Sequence, residues 1–410
     1  MTGTDDTDFN PRAPDFAADP YAVYARLRQQ PGLCYFADLD MWLASRHADV
    51  LSIVTNPEMP RMPDGLLPGD ELDRRQRQDN FHDMPNHQRF VQFSMLNSDG
   101  DVHDRLRRQV FRLFTPLYIA SHRAVIQALV DRILDRFADG AEIDFVEDLA
   151  AEVPGHVIGH LLGVPEADCP MLRSWSENIV QYFDINRSAE RKALAEATSA
   201  QFADYLRELK RQRRERPGDD LTSKLIAAQD AGDMSEDEFL STAMLILMAG
   251  HGSTIDVLGS GMHALLSFPD QMQRLRQDQG LIQTAVQEMF RFECPLPFFD
   301  RYASDEVTVG DRRFPKGTRF GLLYGAANRD PAQFDLADRF DISRKPNRHL
   351  AFGGGAHFCL GNHLARLDME IVFTTLLARF NQLELLETPT YKPGLSVRGP
   401  KALRLKLNRV

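Results

Sequence analysis

The residues best suited to chemistry lie in one run, Phe352-Gly353-Gly354-Gly355-Ala356-His357-Phe358-Cys359-Leu360-Gly361. Its cysteine follows glycine-rich backbone and precedes an apolar periodicity, with Leu360, Leu364, Leu367 and Ile371 at i, i+4, i+7 and i+11. That spacing predicts a helix starting just after Cys359. The unpaired N–H groups and positive dipole end of such a helix favour a thiolate. The three glycines permit a sharp turn or a close approach of backbone to a large flat ligand. A thiolate in that setting suits an axial bond to a haem iron. A glycine loop with a buried structural cysteine is the plain alternative. Zinc is the other chemical reading, but His357 and Cys359 have no second Cys/His pair at ligand spacing.

Three further segments carry polar groups where a core element is expected. Ser235-Glu236-Asp237-Glu238 is a capping box that launches a long helix to about Phe268, before Pro269. Ala243–Ala249 is apolar all round, which marks burial. The helix then runs through Gly250-His251-Gly252-Ser253-Thr254, with Gly259 and Gly261 beyond. Each interior glycine costs about 1 kcal/mol relative to alanine. Such a local conflict marks either a functional site or close helix packing. His103 and Arg107 are four apart on a helix whose apolar stripe is Leu106, Val110, Leu113 and Phe114. On composition alone that helix has a solvated basic face. Glu288 and Arg291 form an i, i+3 pair beside Phe290 and Phe292.

Taken together these motifs resemble the cytochrome P450 family of haem-thiolate monooxygenases, in which the cysteine loop reads F-G-x-G-x-H-x-C-x-G. The resemblance covers nearly the whole chain, with residues 57–100 and 165–220 the least similar. It implies a mostly α fold with small β-sheets, a triangular helical prism around one haem b. It implies a single domain over residues 1–410 with a short flexible N-terminus to about residue 15. Cys359 becomes the ligand of the haem iron, with Ala249, Phe352, Gly353, His357 and Gly361 beside the cofactor. His103, Arg107, Arg301 and His349 match the residues that hold the propionates. Glu288 and Arg291, with Arg339 as their partner, match the brace behind the cysteine loop.

The same resemblance places His251, Gly252, Ser253 and Thr254 where the central helix crosses the oxygen-binding face. The family pattern there is A/G-G-x-acid-Thr. This chain has Ala249-Gly250-His251-Gly252-Ser253, so the acid is absent and serine replaces threonine. Phe90, Phe93, Met248, Pro297, Phe298, Phe299 and Val397 match the substrate pocket, with Leu395–Pro400 as a C-terminal hairpin whose turn touches substrate. Residues 57–100 read as a long irregular loop that covers it.

The activity implied is O₂-dependent oxidation of a largely apolar or aromatic small molecule, with electrons from NAD(P)H through a ferredoxin or flavodoxin. Arg108, Arg112, Lys345 and Arg366 are candidates for the docking surface of that partner. A peroxide-using or otherwise atypical haem-thiolate enzyme is the first rival, raised by Gly252; a non-catalytic haem-binding protein is the second.

Composition sets outer limits. The chain has 410 residues, 48 Lys+Arg against 59 Asp+Glu, and a formal net charge of −11, which argues against general nucleic-acid binding. Cys34, Cys169, Cys294 and Cys359 are scattered without a C-x-x-C, as expected of a reduced, cytoplasmic protein. The acidic, proline-containing N-terminus is not of signal-peptide type. No run of about 18 apolar residues stands out, so no membrane association is expected.

Overall fold

The capping box forms as its sequence requires. In the computed structural model, which describes residues 9–63 and 65–409, Ser235 Oγ accepts from Glu238 N at 3.2 Å and Glu238 Oε2 accepts from Ser235 N at 2.8 Å. From this start the central helix runs Glu236–Ser267. Three of its glycines allow close packing: a Cβ would lie 2.4 Å from Ile158 at Gly250, 2.7 Å from Pro400 at Gly259 and 2.8 Å from Met289 at Gly261. Gly252 is different, because a Cβ there would meet nothing within 4 Å. By length and composition this helix passes as a membrane span, contrary to the expectation that no such segment exists. Yet 78% of its apolar window is buried inside the fold, as befits a core helix.

Two compact units divide the chain: residues 9–60, 122–153 and 253–409 in the first, and 61–121 and 154–252, apart from Asp64, in the second. The first unit holds all nine strands found among the described residues. They are β1 Cys34–Phe36, β2 Met41–Ala44, β3 Ala141–Asp144, β4 Phe298–Tyr302, β5 Val307–Val309, β6 Arg312–Phe314, β7 Arg319–Leu323, β8 Phe380–Leu385 and β9 Arg404–Arg409. They make a mixed sheet β1-β2-β7-β4, an antiparallel sheet β3-β9-β8 and the pair β5-β6. β1 and β2 pair as a hairpin, Cys34 opposite Leu43. In β4–β7, Phe299 faces Leu322 and Arg301 faces Phe320. A core of Val50, Ile53, Phe314, Phe320, Leu322 and Tyr324 fills the space between this sheet and the helix His47–Thr55. The helix Asn362–Arg379 packs against Arg123–Leu134 and Ile282–Phe292.

Several expectations are corrected here. The C-terminal hairpin at residues 395–400 is not a strand pair; that stretch makes one isolated bridge, Pro400 to Tyr391, and the real pair is β8–β9. Of the N-terminal stretch expected to be flexible, residues 1–8 lie outside the described residues, while Phe9 and Phe16 are buried and pack edge to face.

In the second unit, the segment expected to be irregular between residues 57 and 100 contains two helices, Gly69–Gln78 and Pro85–Gln92. The first is polar apart from Leu72. The second rests on the long helix Ala189–Glu215. Glu196 from that helix caps it, accepting from the backbone N–H groups of Asn86 and His87, both at 3.0 Å. A helix Leu221–Asp230, capped by Asp220, went unread in the sequence.

Candidate functional site

The loop before Cys359 turns through backbone geometry that favours glycine. Gly353 and Gly355 have φ of 68° and 64°, in the left-handed region. A Cβ on Gly355 would also lie 2.6 Å from the Val54 carbonyl oxygen, so the loop rests directly on the end of the helix His47–Thr55. Cys359 N donates to Phe352 O at 2.9 Å, and Asn362 Nδ2 donates to Cys359 O at 2.9 Å. The following helix begins at Asn362, three residues on, placing its N-terminus beside the thiol. One turn further, the Arg366 guanidinium lies 4.4 Å from the centre of the Phe352 ring. Burial lowers the Arg366 pKa, and the charges of Cys359 and Glu370 oppose that shift. A neighbouring cation of this kind favours the thiolate. Arg366 also donates to Asn362, which removes it from any freely exposed docking patch.

The other three cysteines are chemically quiet. Cys34, Cys169 and Cys294 are buried, and burial raises each thiol, to about 11 for Cys169 and about 12 for Cys294. Cys359 is half-buried. Among the described residues no group of His, Cys, Asp or Glu could hold a metal ion by itself, so zinc finds no ligand set. A Cβ on Gly361 would meet nothing within 4 Å, so space is open next to the thiol. One accessible thiol, a nearby cation and open space fit a large group ligated by a single thiolate.

The helix Ile282–Phe292 carries a fully buried ion pair. Arg291 Nη2 and Nε donate to the two Glu288 oxygens at 2.7 and 2.8 Å, and both side chains are wholly inaccessible. Arg291 also donates to the carbonyls of Asn328, Ala337 and Arg339. Arg339 therefore contributes only its backbone; its side chain turns to Asp270, 3.9 Å away at the surface. The second guanidinium on Glu288 belongs to Arg344, at 3.1 Å. The sequence expectation for Arg339 is corrected accordingly.

His349 is half-buried, and its pKa is pushed down to about 3 by desolvation, then by Arg366 and Arg291. Its Nδ1 accepts from Ala351 N at 3.2 Å, so Nε2 carries the proton that goes to Gln287 Oε1 at 3.0 Å. Phe352 packs on Phe290 with ring centres 4.5 Å apart. Arg301 is buried in β4. Residues on a strand alternate faces, so Phe299 shares the Arg301 face and Phe298 lies on the other. Phe298 indeed packs over Gly321, beside Met41 and Leu43. The two phenylalanines therefore lie on opposite faces of β4, and Phe299 packs against the core that includes Val50, Ile53 and Tyr324. Pro297 is buried and Val397 half-buried. His357 is half-buried in the short turn before Cys359.

On the central helix, Ala249 is exposed and Gly250, Gly252 and Ser253 are half-exposed, with Ala249, Gly252 and Ser253 in line along one stripe at i, i+3 and i+4, while Met248, His251 and Thr254 are buried. An opening on one face of an otherwise buried helix is what a ligand-facing stretch requires. His251 points elsewhere, its Nδ1 2.8 Å from Leu247 O. Thr254 is likewise off the stripe. In the second unit His103 is buried with Nδ1 3.0 Å from Asp104 Oδ1, and Arg107 is half-buried one turn on. Phe90 is buried and Phe93 half-buried.

Arg398, unremarked as a charge in the sequence, is buried against Glu293, with Nε 2.7 Å from Oε2. Tyr21 also donates to that carboxylate at 3.0 Å. These residues line a cavity of about 200 Å³ with His263 and Tyr391, none of them from the cysteine loop.

Residues 70–406 match the family model for cytochrome P450. The polyketide biosynthesis cytochrome P450 PksS of Bacillus subtilis is 32% identical, over 98% of this chain and 99% of that protein. Among solved structures, P450BioI in complex with an acyl carrier protein ligated to hexadec-9Z-enoic acid superposes with a TM-score of 0.89 at 30% identity, over 96% of this chain and 100% of that one. The myxobacterial CYP267B1 in complex with myristic acid gives 0.88 at 34% identity, over 97% and 99%.

Proposed function

The chain belongs to the cytochrome P450 family, and from that premise we propose that it oxidises a largely apolar or aromatic small molecule of the long-chain acyl or polyketide type. It is an oxidoreductase that binds haem b and uses O₂, an organic substrate and a redox partner. The thiolate-ligated haem, when bound, activates O₂ so that one oxygen atom enters the substrate. The observation that carries the reading is the half-buried Cys359 in its glycine-shaped loop, the one cysteine of four not sealed in the core.

The protein's own groups divide the remaining work. Cys359 is the ligand, steadied by Asn362 and Arg366, while Phe352 and Phe290 keep water from the sulfur. On the family pattern, Arg301, His349, His103 and Arg107 would hold the propionates of the haem. Glu288, Arg291 and Arg344 keep the loop rigid. Phe299, Pro297, Met248, Val397, Phe90 and Phe93 supply apolar surface for the substrate. Ala249 and Gly252 leave room beside it, and Ser253 offers the hydroxyl.

The acyl substrate class is supported by the relatives: PksS is a polyketide biosynthesis enzyme, and the two solved neighbours are complexes with a carrier-bound hexadecenoic acid and with myristic acid. Electrons come from a ferredoxin or flavodoxin in the cytoplasm. A second reading, peroxide-driven turnover, is favoured by Gly252, which has no side chain to relay protons.

The test is spectroscopic and then catalytic. The reduced carbon monoxide complex should show the strongly red-shifted Soret band of thiolate ligation, and Cys359→Ala should lose it. Myristic acid should shift the resting spectrum and be oxidised with NADPH, ferredoxin and reductase. Turnover with hydrogen peroxide, and none with NADPH, ferredoxin and reductase, would establish the second reading.

A further inference from the structure

Productive oxygen cleavage consumes protons, and the residue that usually helps supply them is absent at Gly252. The structure offers a group one turn on. Asp256 is i+4 from Gly252 and i+3 from Ser253, so it continues the Ala249/Gly252/Ser253 stripe. Helical side chains lean toward the N-terminus of their helix, over the preceding turn. The Asp256 carboxyl therefore leans toward the Ser253 turn. The missing Gly252 side chain leaves open space there.

Asp256 is also tightly held. It is buried, only 3% exposed, and a buried carboxylate persists only when paired. Its partner is Lys392, with Nζ 2.6 Å from Oδ1. The Lys392 side chain is 36% exposed, so the pair reaches from the core to bulk water. Gly399 closes over the carboxyl: a Cβ there would lie 2.2 Å from Oδ1. Lys392 N donates to Gly399 O at 2.9 Å, tying the two residues that clasp the acid.

We propose that Asp256, clasped by Lys392 and Gly399, takes the place of the acid missing at Gly252 and passes solvent protons to the Ser253 hydroxyl. The inference rests on the haem-thiolate monooxygenase reading above. In the reaction it serves, a substrate C–H, O₂, two electrons from the NAD(P)H-reduced redox partner and two protons give the alcohol and one water. The Asp256 carboxylate takes a proton from water at Lys392 and hands it to Ser253, which passes its own hydroxyl proton onward; the hydroxide left at the surface is neutralised by bulk solvent, so both residues end unchanged. When that supply fails, the same two electrons and two protons leave with O₂ as hydrogen peroxide. Asp256 acts through Ser253 and is a positioning residue.

The experiment compares wild type with Asp256→Asn, Asp256→Glu and Lys392→Met. Myristic acid is the probe, and NADPH, ferredoxin and reductase supply the electrons. Product and hydrogen peroxide are measured per NADPH, and peroxide-driven turnover is run in parallel because peroxide brings its own protons. Thermal midpoint, the carbon monoxide band and the myristic-acid spectral shift are read on the same samples. The expected result is at least a fivefold fall in product per NADPH for D256N and K392M, matched by rising peroxide. That fall should be at least fivefold larger than any fall in the peroxide-driven reaction, and D256E should recover most of it. Equal yields in wild type and D256N would overturn the proposal. So would a D256N loss that D256E shares together with a lowered thermal midpoint, which would mark a structural brace. Absence of the thiolate-type band in wild type would overturn the family-based reading along with it.

Discussion

Arg344 lies against Glu288, its Nε 3.1 Å from the carboxylate oxygen Oε2, at a position five residues beyond the arginine that the sequence pattern nominates. Glu288 thus accepts from Arg291, Arg344, Asn347 and the backbone of Asp341, while wholly buried. A carboxylate in that state depends on each donor, because its desolvation is offset only by the complete set.

The two arginines should therefore separate cleanly. Arg344→Ala should destabilise the protein by about 3 kcal/mol, the scale for removing one partner of a buried charge, and should lower haem incorporation. Arg339→Ala should stay within about 0.5 kcal/mol, since the backbone carbonyl that Arg291 uses survives. Denaturant midpoints and the haem-to-protein absorbance ratio of both variants check this.

Strand alternation separates Phe298 from Phe299 in the same way. Phe299→Ala should change the myristic-acid spectral shift or the product distribution, because it shares the Arg301 face of β4. Phe298→Ala should leave both nearly unchanged and instead lower stability, by about 1–3 kcal/mol for a partly buried aromatic, through its packing over Gly321. If Phe298→Ala alters products and Phe299→Ala does not, the face assignment is wrong.

Much of the site was legible because it is local. The cysteine loop, the capping box and the helix of His103 and Arg107 each carry their signal within a dozen residues. Arg344 and the Asp256–Lys392 pair were not legible, because their partners are 56 and 136 residues away. β9 could have been found: Leu403, Leu405 and Leu407 alternate with Arg404 and Lys406, the period-2 pattern of a half-buried strand. The family resemblance placed a hairpin at residues 395–400 instead. The helix Leu221–Asp230 likewise had a readable cap in Asp220, three residues before the N–H it accepts from.

His87 makes the second unit sensitive to acid. It is fully buried among Phe81, Phe90, Tyr182 and Phe183, and neither ring nitrogen has a hydrogen-bond partner among the described residues. Burial lowers its pKa from 6.5 to about 4. The unfolded chain therefore binds this proton first, and stability falls as pH drops below about 6.5 toward 4. A fall of that size is worth about 3 kcal/mol at most. His87→Phe, which suits the aromatic surroundings, should flatten the thermal midpoint between pH 6.5 and 4. An unchanged pH profile in His87→Phe would show that another group controls the acid limb.

Asp368 should work in the opposite direction. It lies nine residues after Cys359 on the helix Asn362–Arg379, is 1% exposed, and neither carboxyl oxygen has a hydrogen-bond partner among the described residues. Burial alone raises its pKa well above the ordinary 3.8, so the folded protein holds the carboxyl neutral. The unfolded chain releases that proton near pH 4 while the folded one keeps it. The protonated fold is then favoured in acid, and stability declines as pH rises from about 4 through the raised folded value. Asp368→Asn keeps the shape and removes the titration. It should raise the thermal midpoint at pH 7–8 by several degrees, on the order of 2–4 °C for each kcal/mol in a large domain, and change it little at pH 4. Thermal melts of wild type and Asp368→Asn across that range decide the matter. A variant less stable than wild type at pH 8 would mean that the carboxylate is ionised and paired in the folded state.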